Sequence, residues 1–152
     1  MKALLAAAVA CVAPLGSLWA PPALADPGAD PGTGVAAPAA PSPPFIDHTE
    51  WTQWQGLPSL RVFPTPSGRE AARQPGILAS MADADEAWGE VLALSADADT
   101  AGMRAQFICH WQFAERAEPG KASWNLEPWR PVVDDAEMIA SRCNPAAPEE
   151  RF

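Results

Sequence analysis

The sequence predicts a small single α+β domain with a short antiparallel sheet, two or three helices and one disulfide. Its 152 residues allow one domain of ordinary size. Two runs rich in aromatic and β-branched residues flank Gly56 and predict an N-terminal hairpin. Farther along, apolar residues recur at helical spacing, and two cysteines remain once an N-terminal export signal is removed.

The first residues have the organisation of a secretory signal. A positive charge at Lys2 precedes an apolar stretch up to Trp19, and the small residues Ala23 and Ala25 form an A-x-A cleavage site. We therefore predict a signal peptide over residues 1–25. The mature protein is then secreted, either extracellular or associated with the cell envelope.

Two alternatives to this secretory signal stay open. A membrane anchor would need about 20 uninterrupted apolar residues, and Pro14 and Gly16 interrupt the stretch. A lipoprotein signal would end at Cys11, but the apolar run before this cysteine is short.

The charge of the chain excludes several classes of partner. The formal net charge is −9, and removal of Lys2 with the signal would make it −10. Nucleic acid binding and adsorption to anionic lipid both need clustered cations. We therefore expect no nucleic acid partner. We also expect no stable membrane span after signal cleavage, and a monomer.

Composition also divides the mature chain. In residues 26–44, 14 of the 19 residues are Pro, Gly or Ala, so this segment cannot bury enough apolar surface to fold. We predict a disordered linker here, a globular domain over 45–148 and a frayed tail over 149–152.

The predicted hairpin consists of the runs FIDHTEWTQW (45–54) and LPSLRVFPT (57–65), joined by Gln55-Gly56. Leu60 and Val62 alternate with more polar neighbours, as in a half-buried strand. Pro58 suggests that the second strand is an edge strand or starts irregularly. The Pro- and Gly-containing segment 64–68 is expected to end the hairpin.

Two helices are predicted in the middle of the domain. The first runs from about Ala84 to Leu94, with Asp83 or Asp85 as its cap. The second runs from about 101 to 115, and the polar segment 95–100 is expected to cap it. Its apolar stripe consists of Met103, Phe107, Trp111 and Ala114, whereas Cys109 and Phe113 lie on the opposite side.

The last part of the domain is predicted to be extended and then helical. The segment ASWNLEPWRPVV (122–133) carries two prolines that favour extended backbone. A final helix is expected to start at Asp134-Asp135 and to end at Asn144-Pro145. Its predicted inner face consists of Ala136, Ile139, Ala140 and Cys143.

Cys109 and Cys143 are predicted to form the single disulfide. An even pair of cysteines in an exported protein is typical of a disulfide. The closed loop of about 35 residues would stabilise the fold by roughly 4 kcal/mol in the chain-entropy model. The alternative is a free, nucleophilic Cys109 beside His110.

One segment has the composition of a binding surface. Indole faces pack on sugar rings or apolar groups, and amide, carboxylate and guanidinium groups supply directional hydrogen bonds. The predicted binding residues are Trp124, Asn125, Glu127, Trp129 and Arg130. The alternative is a buried structural loop in which Glu127 pairs with Arg130.

No motif indicates a catalytic or metal site. His48 and His110 lack the spacing of zinc ligands, and no nucleophile motif occurs. We therefore expect no metal and no cofactor. The enzymatic alternative is a small secreted hydrolase that uses Glu127, His110 and an Asp.

Several motifs together resemble a known family. They are GLPSLRVFPT (56–65), QFICH (106–110), WNLEPWRP (124–131) and CNP (143–145). The pattern resembles a family of secreted actinobacterial proteins known only as a domain of unknown function. The resemblance implies export and pairing of Cys109 with Cys143, but no established activity.

The function expected from these observations is non-enzymatic binding. The chain is interpreted as a secreted acidic module that binds a glycan or protein of the cell envelope or extracellular space. The segment 124–130 is its expected contact surface, with Trp129 and Arg130 as anchors.

Overall fold

The computed structural model describes residues 39–74 and 77–148, all within the unit Pro38–Phe152. The predicted signal peptide, most of the predicted linker and the predicted tail lie outside these residues. The elements, in chain order, are β1 (Ile46–Trp54), β2 (Leu57–Pro64), α1 (Pro66–Arg73), α2 (Ile77–Leu94), a 3-10 turn (Ala96–Ala98), α3 (Met103–Ala117), β3 (Trp124–Leu126) and α4 (Asp135–Ala140). The predicted α+β class, the antiparallel sheet and the disulfide are confirmed.

The sheet has the order β1-β2-β3, and both strand pairs are antiparallel. Gln55 and Gly56 join β1 to β2 with φ angles of 53° and 80°, the conformation of a two-residue hairpin turn. β2 is thus the central strand, not an edge. Pro58 is tolerated because β3 pairs only with residues 60–62, so no partner on that side needs its missing N–H.

Aromatic rings form the centre of the core. Phe107 lies 5.5 Å from Trp88, 6.2 Å from Trp111 and 6.0 Å from Trp124, measured between ring centroids. Leu60 and Val62 of β2 are fully buried in the same core. All four residues of the predicted stripe on α3 are buried, which confirms α3 as the central helix.

The hairpin ends at Pro64, as predicted, and the segment after it begins a helix, α1, that was not predicted from the sequence. The Thr65 hydroxyl accepts a hydrogen bond from the Gly68 N–H, and Pro66 occupies the start of the helix, where a missing N–H costs nothing. The Ser67 hydroxyl donates to the Ser42 carbonyl and accepts from the Ser42 N–H. The chain before β1 is therefore held against α1.

The predicted caps of the two middle helices are wrong. α2 begins at Ile77, so Asp83 and Asp85 lie inside it. α3 begins after Gly102, which has a φ of 85° and offers no side chain for capping. Segment 95–100 instead contains the 3-10 turn, and Ser95 before this turn makes no side-chain cap contact.

α4 presents a different face from the one predicted. The Asp134 carboxylate caps the helix by accepting from the Glu137 N–H, as expected. However, Met138 is its buried residue, whereas Ala136, Ile139 and Ala140 are exposed. The helix ends at Ala140, and Cys143 has a positive φ of 67°. Cys143 therefore does not continue the helical periodicity on which the prediction rested.

The disulfide anchors the end of the domain to α3. Cys109 and Cys143 are bonded, with their Cα atoms 5.5 Å apart. With Met138 they form a second buried cluster, against which Phe113 and Val133 pack. α3 is thus apolar on two sides, as its sequence predicts.

Two buried or partly buried carboxylates bind the start of β1 to α2 and bind α1 to α3. The Glu90 carboxylate of α2 accepts from the Phe45 and Ile46 N–H groups, at 2.8 and 2.7 Å. The Glu115 carboxylate of α3 is almost fully buried and accepts from Arg69 and Arg73 of α1. Among the residues that the structure describes, no helix is long and apolar enough to cross a membrane.

Replacement of Gly68 by Ala is expected to destabilise the domain. A Cβ at this position would stand 2.2 Å from the carbonyl oxygen of Phe45, so α1 would have to move away from β1. We expect Gly68→Ala to lower the free energy of unfolding by about 2 kcal/mol in urea titrations. The matched control is Gly89→Ala on α2, where the space is open. It should raise stability by about 1 kcal/mol, and equal effects of both variants would contradict the close approach.

Candidate functional site

The five predicted binding residues are brought together, but four of them are buried. Trp124, Asn125 and Glu127 have no exposed surface, and the Arg130 side chain has none either. Only Trp129 is partly exposed. The expectation of a contact surface made by all five is therefore corrected, because buried side chains cannot contact a ligand at the surface.

Glu127 is the centre of a buried polar network. Its carboxylate accepts from the Ser59 hydroxyl at 3.0 Å and from Arg130 Nε at 2.5 Å. Its backbone N–H donates to Gln106 Oε1, and its carbonyl accepts from Gln106 Nε2. The segment is thus the structural loop that was the alternative interpretation, with Glu127 paired to Arg130.

Arg130 extends this network to the end of the described chain. Its Nη1 atom donates to the carbonyls of Pro145, at 3.1 Å, and Ala147, at 2.7 Å. A buried guanidinium needs such acceptors, because its charge cannot be solvated by water. The segment after Cys143 is therefore held in place at two points, by the disulfide and by Arg130.

Trp129 forms an exposed pair with a residue that the sequence prediction missed. Its ring centroid lies 6.3 Å from that of Trp54, the last residue of β1, and both indoles are partly exposed. Its Nε1–H donates to the Pro58 carbonyl at 3.1 Å. The Arg130 guanidinium lies 4.7 Å from the ring centroid, within the range of a cation–π contact.

The alternation of side chains along β1 indicates that Trp54 is a candidate binding residue. Side chains alternate between the two faces of a strand, so Trp54 shares a face with His48, Glu50 and Thr52. This face is polar and lies opposite the one to which Leu60 and Val62 belong. An indole on the polar face of a hairpin has no packing role in the core, so it is a candidate for binding.

A groove adjoins the indole pair. It has a volume of about 530 Å³ and is lined by Trp51, Thr52, Gln53, Pro58, Asp97, Thr100 and Pro128. Trp51 is held by a hydrogen bond of 3.0 Å from its Nε1–H to the Asp97 carboxylate. Thr52 lies on the same face of β1 as Trp54, and Pro128 precedes Trp129, so the groove and the pair are adjacent at the edge strand β1, although Trp51 and Gln53 belong to the other face of that strand. We define the hairpin-tip surface as Trp51, Gln53, Trp54, Asp97, Thr100 and Trp129.

The structure does not favour the hydrolase. His110 is buried, with Nδ1 placed 2.8 Å from the Gln106 carbonyl. The cavity that His110 lines does not include Glu127, whose carboxylate is engaged by Ser59 and Arg130. Cys109 is in the disulfide and is not a nucleophilic thiol. In residues 39–74 and 77–148, no group of three potential metal ligands occurs.

Comparison with known proteins identifies the family. The model described as "Protein of unknown function (DUF2599)" matches residues 46–146, from the start of β1 to the segment after the disulfide. The chain belongs to the DUF2599 family. This assignment confirms the predicted resemblance to an actinobacterial family of unknown function.

Mycobacterial relatives cover between 70% and all of this DUF2599 chain. It is 64% identical over 154 residues to "Uncharacterized protein Rv0477" of Mycobacterium tuberculosis, and all of both chains is covered. It is 57% identical over 106 residues to "Uncharacterized protein ML2452" of Mycobacterium leprae, with 70% of this chain and 83% of the relative covered. No solved structure matches the chain.

The buried network predicts that Glu127→Gln destabilises the domain much more than Glu70→Gln does. Glu127→Gln leaves the Arg130 charge buried without a carboxylate, so we expect the free energy of unfolding to fall by about 3 kcal/mol. The control is Glu70→Gln, which removes a largely exposed ion pair with Arg73 and should cost below about 1 kcal/mol. Urea unfolding measures both. A Glu127 variant as stable as the Glu70 variant would rule out the central role of this carboxylate.

Proposed function

We propose that this DUF2599 protein is an exported, non-enzymatic module that binds a glycan of the cell envelope through the hairpin-tip surface. The observation that carries the proposal is the partly exposed pair of Trp54 and Trp129 beside a groove lined with hydrogen-bonding groups. Indole faces pack against the C–H faces of sugar rings, and polar side chains bind the hydroxyls.

The polar lining of the groove suits a sugar. Gln53, Asp97 and Thr100 are exposed there, and they supply an amide, a carboxylate and a hydroxyl. A carboxylate that accepts from sugar hydroxyls forms stronger hydrogen bonds than a neutral acceptor does. The groove thus combines apolar faces with directional acceptors and donors, as glycan recognition requires.

Two of the indoles are already fixed before any ligand binds. The Trp51 Nε1–H donates to Asp97, and the Trp129 Nε1–H donates to the Pro58 carbonyl. Ordering a side chain on binding costs about 0.5–1.5 kcal/mol, and this cost is reduced where the side chain is held beforehand. The arrangement therefore favours a rigid binding face.

A glycan fits this surface better than a globular protein does. A stable protein interface covers about 800 Å² on each partner around an apolar centre. Among the described residues of the hairpin tip, the exposed large apolar residue outside the indoles is Leu57, at 43% exposure. A groove of about 530 Å³ is instead in the size range of small-ligand sites.

Export is supported by three features of the chain. The predicted signal peptide, the predicted linker rich in Pro, Ala and Gly, and the disulfide all suit an extracytoplasmic protein. The linker would separate the domain from its point of attachment or remain a tail.

The proposal is tested with the full mature chain and purified, protein-free cell-wall polysaccharide from the producing organism. We expect Trp54→Ala and Trp129→Ala each to weaken binding about tenfold, since each removes one stacking face. The control is Leu94→Ala, at an apolar position on α2 that is 50% exposed and lies outside the surface. Circular dichroism verifies that each variant is folded.

Two results would contradict the proposal. One is binding to the polysaccharide that neither indole variant weakens. The other is an absence of polysaccharide binding together with capture of a culture-filtrate protein that depends on Trp129. That second result would assign the surface to a protein partner instead.

A further inference from the structure

We infer that a second cavity, between α3 and α4 beside the disulfide, binds a single-chain amphiphile with an anionic head group. The cavity has a volume of about 460 Å³, which is within the range of small-ligand sites. Of the described residues, none lines both this cavity and the groove of the hairpin-tip surface. This activity is therefore separate from the proposed glycan binding.

The walls of the cavity are mainly apolar. α3 contributes Phe113, Ala114 and Ala117, and the Cys109–Cys143 disulfide lies between the two helices. Ile139 of α4 completes the lining and is 52% exposed. Burial of apolar area is favourable by about 25 cal/mol per Å², so an alkyl chain that covers Ile139 and Phe113 gains binding energy.

The charged residues that line the cavity favour an anionic head group. Among the residues that the structure describes, Lys121 and Arg142 line the cavity, and Glu118 is the one carboxylate in its lining. This excess of cations stands out in a chain with 10 basic and 19 acidic residues. The cavity thus places positive charge beside an apolar wall, which is complementary to a carboxylate or phosphate on an alkyl chain.

Arg142 differs from most arginines of the domain. Arg69, Arg73, Arg104 and Arg130 each form an ion pair with a carboxylate. Within the described part of the chain, no carboxylate lies within ion-pair distance of Arg142, and the residue is exposed. Its backbone has a φ of 54° and its N–H donates to the Ile139 carbonyl at 3.0 Å. The guanidinium therefore extends from a fixed point next to the apolar wall.

A single amphiphile fits these observations better than a membrane surface does. A chain with a net charge of −9 is repelled by an anionic bilayer at distances up to the Debye length. A single molecule that enters the cavity meets only the local charges. Its alkyl chain is removed from water by the apolar wall, and its head group contacts the exposed cation.

The test measures binding of defined amphiphiles to the full mature chain by titration calorimetry, below their micelle concentrations. Laurate and dodecyl phosphate represent the two anionic head groups, and dodecyltrimethylammonium has the same chain with a cationic head. We expect saturable binding of at least one anionic probe with one site per chain. The ammonium probe should bind roughly tenfold more weakly, and acetate, which lacks the chain, should not bind.

Three variants locate the site. Ile139→Asp places a carboxylate in the apolar wall and should weaken binding of the anionic probe roughly tenfold or more. Arg142→Glu should weaken it roughly fivefold and strengthen binding of the ammonium probe. Val132→Asp makes the same change at an apolar residue that is 67% exposed and does not line the cavity, so it should bind like the unmodified chain.

The inference is wrong if neither anionic probe binds saturably, or if Ile139→Asp and Val132→Asp bind equally well. It is also wrong if the ammonium probe binds as tightly as the anionic ones. Circular dichroism and thermal unfolding verify the fold of each variant. Trp129→Ala should bind laurate normally, so failure of the glycan proposal and failure of this inference can be told apart.

Discussion

The structure depends on keeping the buried carboxylate of Glu127 fully paired. An ionised carboxylate without partners in the interior would cost several kcal/mol. Here its partners come from β2, through Ser59, and from the loop itself, through Arg130, while Gln106 of α3 binds the adjacent backbone. Sheet, central helix and C-terminal segment therefore have to adopt their positions together. A shift of any one of them would leave a charge or a peptide group without its hydrogen bonds.

The same network determines where Trp129 lies. Glu127 and Arg130 on either side of it are buried, and the turn between them places Trp129 against Trp54 and the Pro58 carbonyl. Glu127 and Arg130 look like binding residues in the sequence. In the structure they hold the hairpin-tip surface in position but are not part of it. Composition alone could not separate these roles, because Glu and Arg serve equally well in a buried pair and on a contact surface.

Sequence reasoning predicted what periodicity and local chemistry encode. The hairpin, the buried stripe of α3, the Cys109–Cys143 pair and the Asp134 cap are all present. The sequence did not predict the features that depend on tertiary contacts. α1 has few apolar residues and depends on close approach to Phe45, which no local pattern reports. α4 ends at Ala140 and buries Met138 against the disulfide, and the Trp54–Trp129 pair joins residues from distant parts of the chain.

The contact between Trp54 and Trp129 affects how antibodies can recognise the protein. Trp54 and Trp129 belong to different segments that are adjacent only after β1, β2 and the loop following β3 have assembled. The hairpin-tip surface is consequently a discontinuous epitope: a linear peptide from one segment lacks the residues that the other segments contribute. An antibody that requires both indoles would report that the domain is folded, and it would not recognise the unfolded chain or fragments left after proteolysis between the two segments.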